Sequence, residues 1–305
     1  MTTRRDFIKT GSLTITGLAF AGTGSVFGNM AESKYVSKRP VTGKRNFTSR
    51  AVEETIKASK AKIKDTKLAW MFENCYPNTL DTTVHYKIKN GKADTFVITG
   101  DIDAMWLRDS SAQVWPYLPL ANQDEKLKSL LAGVINRQTQ CVIIDPYANS
   151  FNAGPTGSEW MTDETEMKPE LHERKWEIDS LCYTVRLAYN YWKTTSDTSV
   201  FDLDWQKAVA SIVKTFTVQQ RKEGLGLYKF QRKTTNQLDT VSNHGYGRPL
   251  RPVGLINSSF RPSDDCSTYG FLIPSNLFAV TSLRQLAEIS TKITEDKAFT
   301  KNLSA

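Results

Sequence analysis

Five stretches of this chain repeat apolar residues at helical spacing, and only one short pair alternates as strands do. Such a chain is constrained to pack helix on helix. Ala51 to Ile63 places Val52, Ile56 and Ile63 on one face. Glu125 to Ile144 carries Leu127, Leu130, Leu131, Val134 and Ile135, and Trp176 to Trp192 carries Ile178, Leu181, Cys182, Val185, Ala188 and Tyr189. Trp205 to Val218 and Leu277 to Ile293 repeat the pattern, the last behind a Pro274-Ser275-Asn276 start. Thr83 to Lys89 alternates, and Asn90-Gly91 turns it toward Thr95 to Ile98. The expectation is an all-α fold with a small β-hairpin near residues 83–98.

Composition narrows the function classes. Of 305 residues, 39% are hydrophobic and 24% charged, which is globular rather than disordered. The charge of +8 is spread out, without the Lys/Arg run of a nucleic-acid footprint. After the N-terminus no run of about 18 apolar residues occurs, which argues against a polytopic membrane protein.

The first thirty residues read as an address. Thr3-Arg4-Arg5-Asp6-Phe7-Ile8-Lys9 precedes a weakly apolar, Gly/Thr-rich stretch ending in small residues near Gly28. That is a secretory signal, similar to the twin-arginine type, with a Sec signal as the alternative. The expectation is a signal over residues 1–31, a catalytic domain over 32–305, and a periplasmic or extracellular protein.

Cys75, Cys141, Cys182 and Cys266 form no CxxC pair, and Cys141 and Cys182 lie in apolar helical runs, as buried free thiols would. Only His85, His172 and His244 are present, too scattered for a histidine metal cluster. No Rossmann, P-loop, HExxH or GxSxG signature occurs, so no cofactor is expected. Two long loops, 145–174 and 224–263, are rich in aromatic, acidic and amide residues, which fits a helical carbohydrate enzyme.

Three segments carry the chemistry. In Gly100-Asp101-Ile102-Asp103-Ala104-Met105-Trp106-Leu107-Arg108-Asp109-Ser110, the adjacent Arg108 and Asp109 offer a donor and an acceptor to vicinal sugar hydroxyls, and Trp106 offers a face to a pyranose. The alternative is a salt-bridged helix start, with Asp109 as cap and Trp106 in the core. In the second, from His172 through Arg174 to Asp179, Asp179 lies near an inner helix face, where a carboxylate needs a partner or a ligand. A structural pair with an arginine would serve equally. In the third, Arg261-Pro262-Ser263-Asp264-Asp265, neighbouring carboxyls that sit in different surroundings separate in pKa and yield a general acid. The alternative is an exposed pair capping a turn. Candidate substrate-binding residues are therefore Asp101, Trp106, Arg108, Asp109, His172, Arg174, Asp179 and Arg261, with Asp264 and Asp265 as candidate catalytic acids.

GDIDAMWLRDS, ERKWEIDSLCY and RPSDDCSTYGFLIPSN, in this order, resemble glycoside hydrolase family 125, the metal-independent exo-α-1,6-mannosidases. The resemblance runs from about Ala51 to the last residue. It implies an (α/α)6 barrel and an inverting release of mannose from the non-reducing end of a mannose-containing oligosaccharide, an N-glycan or mannan. It also implies no metal, a monomer, and Arg108 and Asp109 holding the terminal mannose. It places the acid in Ser263-Asp264-Asp265, and Asp265 is favoured because related helical-barrel enzymes show an acid two residues before Ser or Thr. The family's base is a glutamate beyond this point. Glu288 and Glu295, on an amphipathic helix and a turn, lack its context. About seven helical segments against the twelve of a barrel make the sequence read as C-terminally incomplete. The alternative function is thus an inactive remnant that at most binds mannosides, unless Glu173, Glu177 or Asp179 supplies the base. On that reading residues 32–305 do not cleave α-1,6-mannobiose, and inner-face residues Leu181, Val185, Leu283 and Leu286 lack partners.

Overall fold

A computed structural model describes residues 35–294. The signal expected over residues 1–31, and Glu295, lie outside them. Seven α-helices occur among the described residues: α1 Arg50–Lys62, α2 Thr66–Cys75, α3 Leu107–Val114, α4 Glu125–Ile144, α5 Ile178–Thr195, α6 Leu203–Gln219 and α7 Ile273–Ile289. Strands β1 Val84–Lys89 and β2 Lys92–Val97 form an antiparallel hairpin that pairs Val84 with Val97. Strands β3 Met105–Trp106, β4 Ser150–Phe151 and β5 Leu171–Glu173 form a small antiparallel sheet in that order.

Helix α5 is the hub. It packs against α3, α4 and α7, and Ile178, Leu181, Cys182, Val185, Leu187, Ala188 and Tyr191 are all fully buried. Helix α4 buries Leu127, Leu130, Leu131 and Val134 against β2 and α6. At Gly133 the helix meets β2 so closely that a Cβ would lie 2.3 Å from Thr95 Oγ1 and 3.0 Å from its backbone nitrogen. The contact is pinned by Thr95 Oγ1 donating to the Leu130 carbonyl at 2.8 Å and by Arg137 gripping Asp94 through two nitrogens.

Side chains cap most helix starts: Ser49 for α1, Asp65 for α2, Asp124 for α4 and Asp202 for α6. Helices α3, α5 and α7 have none, and α7 opens on Pro274 instead. The first turns of α3 and α5 carry Arg108, Asp109 and Asp179, so these two uncapped N-termini open where the chemistry-bearing motifs lie.

Several expectations are corrected. Helix α5 starts at Ile178 rather than Trp176, because the backbone of Trp176 donates to the Tyr228 hydroxyl and that of Ile178 to Ser258 Oγ, outside any helical ladder. Helix α7 starts at Ile273, a turn before Leu277. Leu181, Val185 and Leu286 are buried and Leu283 packs on the core, so the inner face is covered. The exposed apolar residues of α7 are Ile273, Leu277 and Val280. Cys141 and Cys182 are buried free thiols, and Cys75 and Cys266 are free as well.

Candidate active site

Strand β3 delivers Trp106 as the residue before α3, which puts Arg108 and Asp109 in the first helical turn. Extended residues after β5 deliver Glu177 as the residue before α5, with Asp179 in its first turn. The loop ahead of α7 brings Asp264. All meet at one guanidinium. Arg108 Nη1 donates to Glu177 Oε2 at 2.8 Å and lies 3.6 Å from Asp179 Oδ2. Its Nη2 donates to Asp264 Oδ1 at 3.1 Å, and Nε lies 3.4 Å from Asp109 Oδ2. Ser180 Oγ adds a hydrogen bond to Glu177 Oε2 at 2.9 Å.

Four carboxyls around one cation, largely out of water, is an excess of acid. Burial tends to lower the Arg108 pKa, but the carboxyls outweigh it and raise it, so the guanidinium stays charged. Burial pushes Glu177 well above the ordinary carboxyl range, opposed by Arg108 and reinforced by Asp179 and Asp264. Burial raises Asp179 too, against the pull of Arg108. Neither oxygen of Asp179, nor Oε1 of Glu177, nor the Trp106 Nε1–H has a hydrogen-bond partner among the described residues. Buried polar atoms are normally satisfied, so a ring of open ones fits a ligand-binding floor. His172 lines it, its ring 5.3 Å from that of Trp106, and burial lowers its pKa.

The expected site residues divide. Trp106, Arg108, Asp109, Asp179, Asp264 and His172 converge. Asp109 lies within α3 rather than capping it. Asp265, favoured from sequence, turns away: its Oδ2 accepts from Arg261 Nη2 at 2.8 Å and Ser263 Oγ at 2.7 Å. The cause is backbone: Asp264 has φ 62°, a left-handed conformation that sends consecutive side chains in different directions. Arg261, exposed and engaged by Asp265, stays in that surface cluster. Arg174 is buried for structural reasons. It donates to Asp145 Oδ2 at 2.8 Å and Thr165 Oγ1 at 2.7 Å, and its guanidinium lies over Tyr147 and Tyr228. Asp101 is exposed in the turn before β3. Glu288, on α7, accepts from the Tyr189 hydroxyl and Lys193 away from the cluster.

From the sequence, Glu177 enters only as a substitute base, and Lys175 is not singled out. The signal for Glu177 was its place two residues before Asp179 at a helix start. Lys175, 4% exposed, donates to the backbone carbonyl of Asp264 at 3.0 Å and so holds the left-handed turn in place. A polar concavity of about 500 Å³ lies apart from this cluster, between the hairpin and α4. Its Arg137 and Lys92 are paired with Asp94 and Asp202.

The family model for metal-independent alpha-mannosidase, GH125, matches residues 65–305. A curated relative from Schizosaccharomyces pombe, the meiotically up-regulated gene 157 protein, is 38% identical over 272 residues, covering 83% of this chain and 53% of that protein. Among solved structures, a metal-independent alpha mannosidase from Streptococcus pneumoniae, in a non-productive complex with alpha-1,6-mannobiose, is 41% identical with a TM-score of 0.78. That likeness covers 85% of this chain and 61% of the other. The chain thus spans about half the length of the curated relative it matches. The helices and small antiparallel sheets share the (α/α)6-barrel fold of that mannosidase, and the chain belongs to the GH125 family of metal-independent alpha-mannosidases.

Proposed function

We propose that this site serves an exo-acting, inverting α-mannosidase that releases terminal mannose from α-1,6-linked oligosaccharides. The observation that carries the reading is the gathering of Glu177, Asp179, Asp264 and Asp109 on the Arg108 guanidinium beside Trp106. Arg108 and Asp109 grip ring hydroxyls as donor and acceptor, and Trp106 and His172 wall the sugar. Asp264 replaces Asp265 as the proposed proton donor to the glycosidic oxygen, because it faces the cluster. Inversion calls for a second carboxylate that activates water on the opposite face, roughly 6.5–9.5 Å from the donor. The mannobiose complex of the Streptococcus pneumoniae relative supports the substrate class. The protein acts outside the cytoplasm as a monomer, a reading supported for export by the Arg4-Arg5 start.

The test follows α-1,6-mannobiose by NMR, with binding measured separately by calorimetry. β-Mannose as the first product is the expected outcome. α-Mannose first would overturn inversion. Mannobiose binding without turnover would favour the mannoside-binding alternative. Absence of binding would overturn the assignment of the sugar site.

A further inference from the structure

We infer that Glu177 and Asp264 form one carboxyl pair that holds a single proton against Arg108, with Glu177 as the resting store for the proton that Asp264 delivers. The inference rests on Asp264 being the donor in the reaction proposed above. The two carboxyls come from elements far apart in sequence, yet they accept from the two terminal nitrogens of one guanidinium. A planar guanidinium offers those donors side by side, so its two acceptors become neighbours. Like charges so placed disfavour double ionisation, and one proton is retained between them.

Among the described residues, Arg108 is the one cation paired with the Glu177 and Asp264 carboxyls. Arg108 also faces Asp109 and Asp179, on α3 and α5. Lys175 reaches the Asp264 carbonyl but stands between Glu173 and Asp239, at 3.4 Å and 3.8 Å. Arg261 is held by Asp265. His172, half-buried beside Trp106, is disfavoured in its charged form. The proton therefore sits on the more deeply buried member. The Glu177 side chain is fully buried, whereas that of Asp264 is 34% exposed. Arg108 and Ser180 both donate to Oε2 of Glu177, which leaves Oε1 to carry the proton.

In the reaction the proton passes from Glu177 to Asp264. From there it moves to the glycosidic oxygen as the bond from that oxygen to the anomeric carbon breaks. The pair then holds two negative charges on one guanidinium, and a proton taken up from solvent restores it. Asp264 is the group that touches substrate, and Glu177 is a positioning residue that acts through it.

Infrared difference spectra of the carboxyl stretch across pH test the pair without requiring turnover. The wild-type chain is expected to show a protonated carboxyl persisting to neutral pH. Glu177→Gln, which keeps an acceptor for Arg108, should lose it. Asp264→Asn, which removes the neighbouring charge, should move its titration about one pH unit or more downward. A band unchanged in Glu177→Gln, or a titration unmoved in Asp264→Asn, overturns the pair. Should Glu177→Gln fail to fold, Ser180→Ala provides the check. It removes a hydroxyl that favours the ionised form and should shift the band's titration upward, and no shift overturns the inference. Where turnover is measured, Glu177→Gln should pull the alkaline limb of the kcat profile to lower pH, which a purely structural role would not do. Mannobiose binding separates the two readings. A band that behaves as expected in a chain that does not bind mannoside overturns the sugar site alone, and intact binding without the band overturns the pair alone.

Discussion

Arg108 and Arg174 are both largely buried arginines surrounded by acid, yet they are built for different ends. Arg174 meets one buried carboxylate, Asp145, and one peripheral one, Glu166, and its remaining donors and faces are met by Thr165 and two tyrosine rings. Arg108 meets four carboxyls, and among the described residues neither oxygen of Asp179 nor Oε1 of Glu177 has a hydrogen-bond partner. A balanced, saturated ion pair fixes a loop. An unbalanced and unsaturated one is costly to fold around, which fits the binding and proton-transfer role proposed for it.

The largest effect expected from this contrast is catalytic. Asp264→Asn should lower turnover of α-1,6-mannobiose by roughly 10²–10⁴-fold while sparing an activated aryl mannoside, whose leaving group needs little protonation. Asp265→Asn, on the Arg261 side of the turn, should change turnover far less. The reverse order would return the donor role to Asp265. Next comes stability. Arg174→Ala leaves buried Asp145 with the half-exposed Lys168, 3.5 Å away, as its remaining cation, and should cost up to about 3–5 kcal/mol in urea denaturation. Arg108→Ala should cost less, by an amount that shrinks as pH falls, because Glu177 and Asp179 can take up protons. Equal, pH-independent losses would erase the distinction.

Arg108→Ala should also weaken mannobiose binding by roughly 1.5–3 kcal/mol, the scale of charged hydrogen bonds, whereas a folded Arg174→Lys should bind normally. Calorimetry on both variants decides this. A smaller effect concerns pH. Glu177 and Asp179 have raised folded-state pKa values, so they favour folding below the ordinary carboxyl range, and that contribution is lost as pH rises through their folded values. Thermal melts of Glu177→Gln should therefore decline less with rising pH than those of the wild type. Smallest of all, mannobiose affinity should stay flat as pH falls into the usual imidazole range, because burial keeps His172 neutral there. A drop in that range would mean that the ring charges at the site.

The helical frame was legible wherever one face is buried and the rest is wet. Helix α4 has the bounds that its periodicity predicts, Glu125–Ile144. Helix α2 was missed because it buries none of its residues fully, so its sequence carries no inner stripe. Helix α3 was anticipated only as the start of something, being eight residues long with polar Arg108, Asp109, Ser110 and Ser111 in it. At the site, the motifs led to Arg108, Asp109, Asp179 and the two adjacent acids. They did not say which acid faces inward, since that depends on one backbone torsion. They group Arg174 with the sugar-holding residues, and only the structure shows its guanidinium engaged by Asp145, Thr165 and two tyrosine rings.

The left-handed turn at Asp264 also limits which acid the position can use. A positive φ is tolerated by aspartate, whose short side chain bonds locally, and is strained for longer residues. Glutamate there would keep the carboxyl but would strain the turn held by Lys175 and push its acid group past the Arg108 nitrogen. Redesign of the proposed donor therefore begins with the main chain. Exchange of aspartate for glutamate would ask the loop before α7 to adjust as well, which makes the choice of acid an inheritance of the backbone as much as a demand of the chemistry.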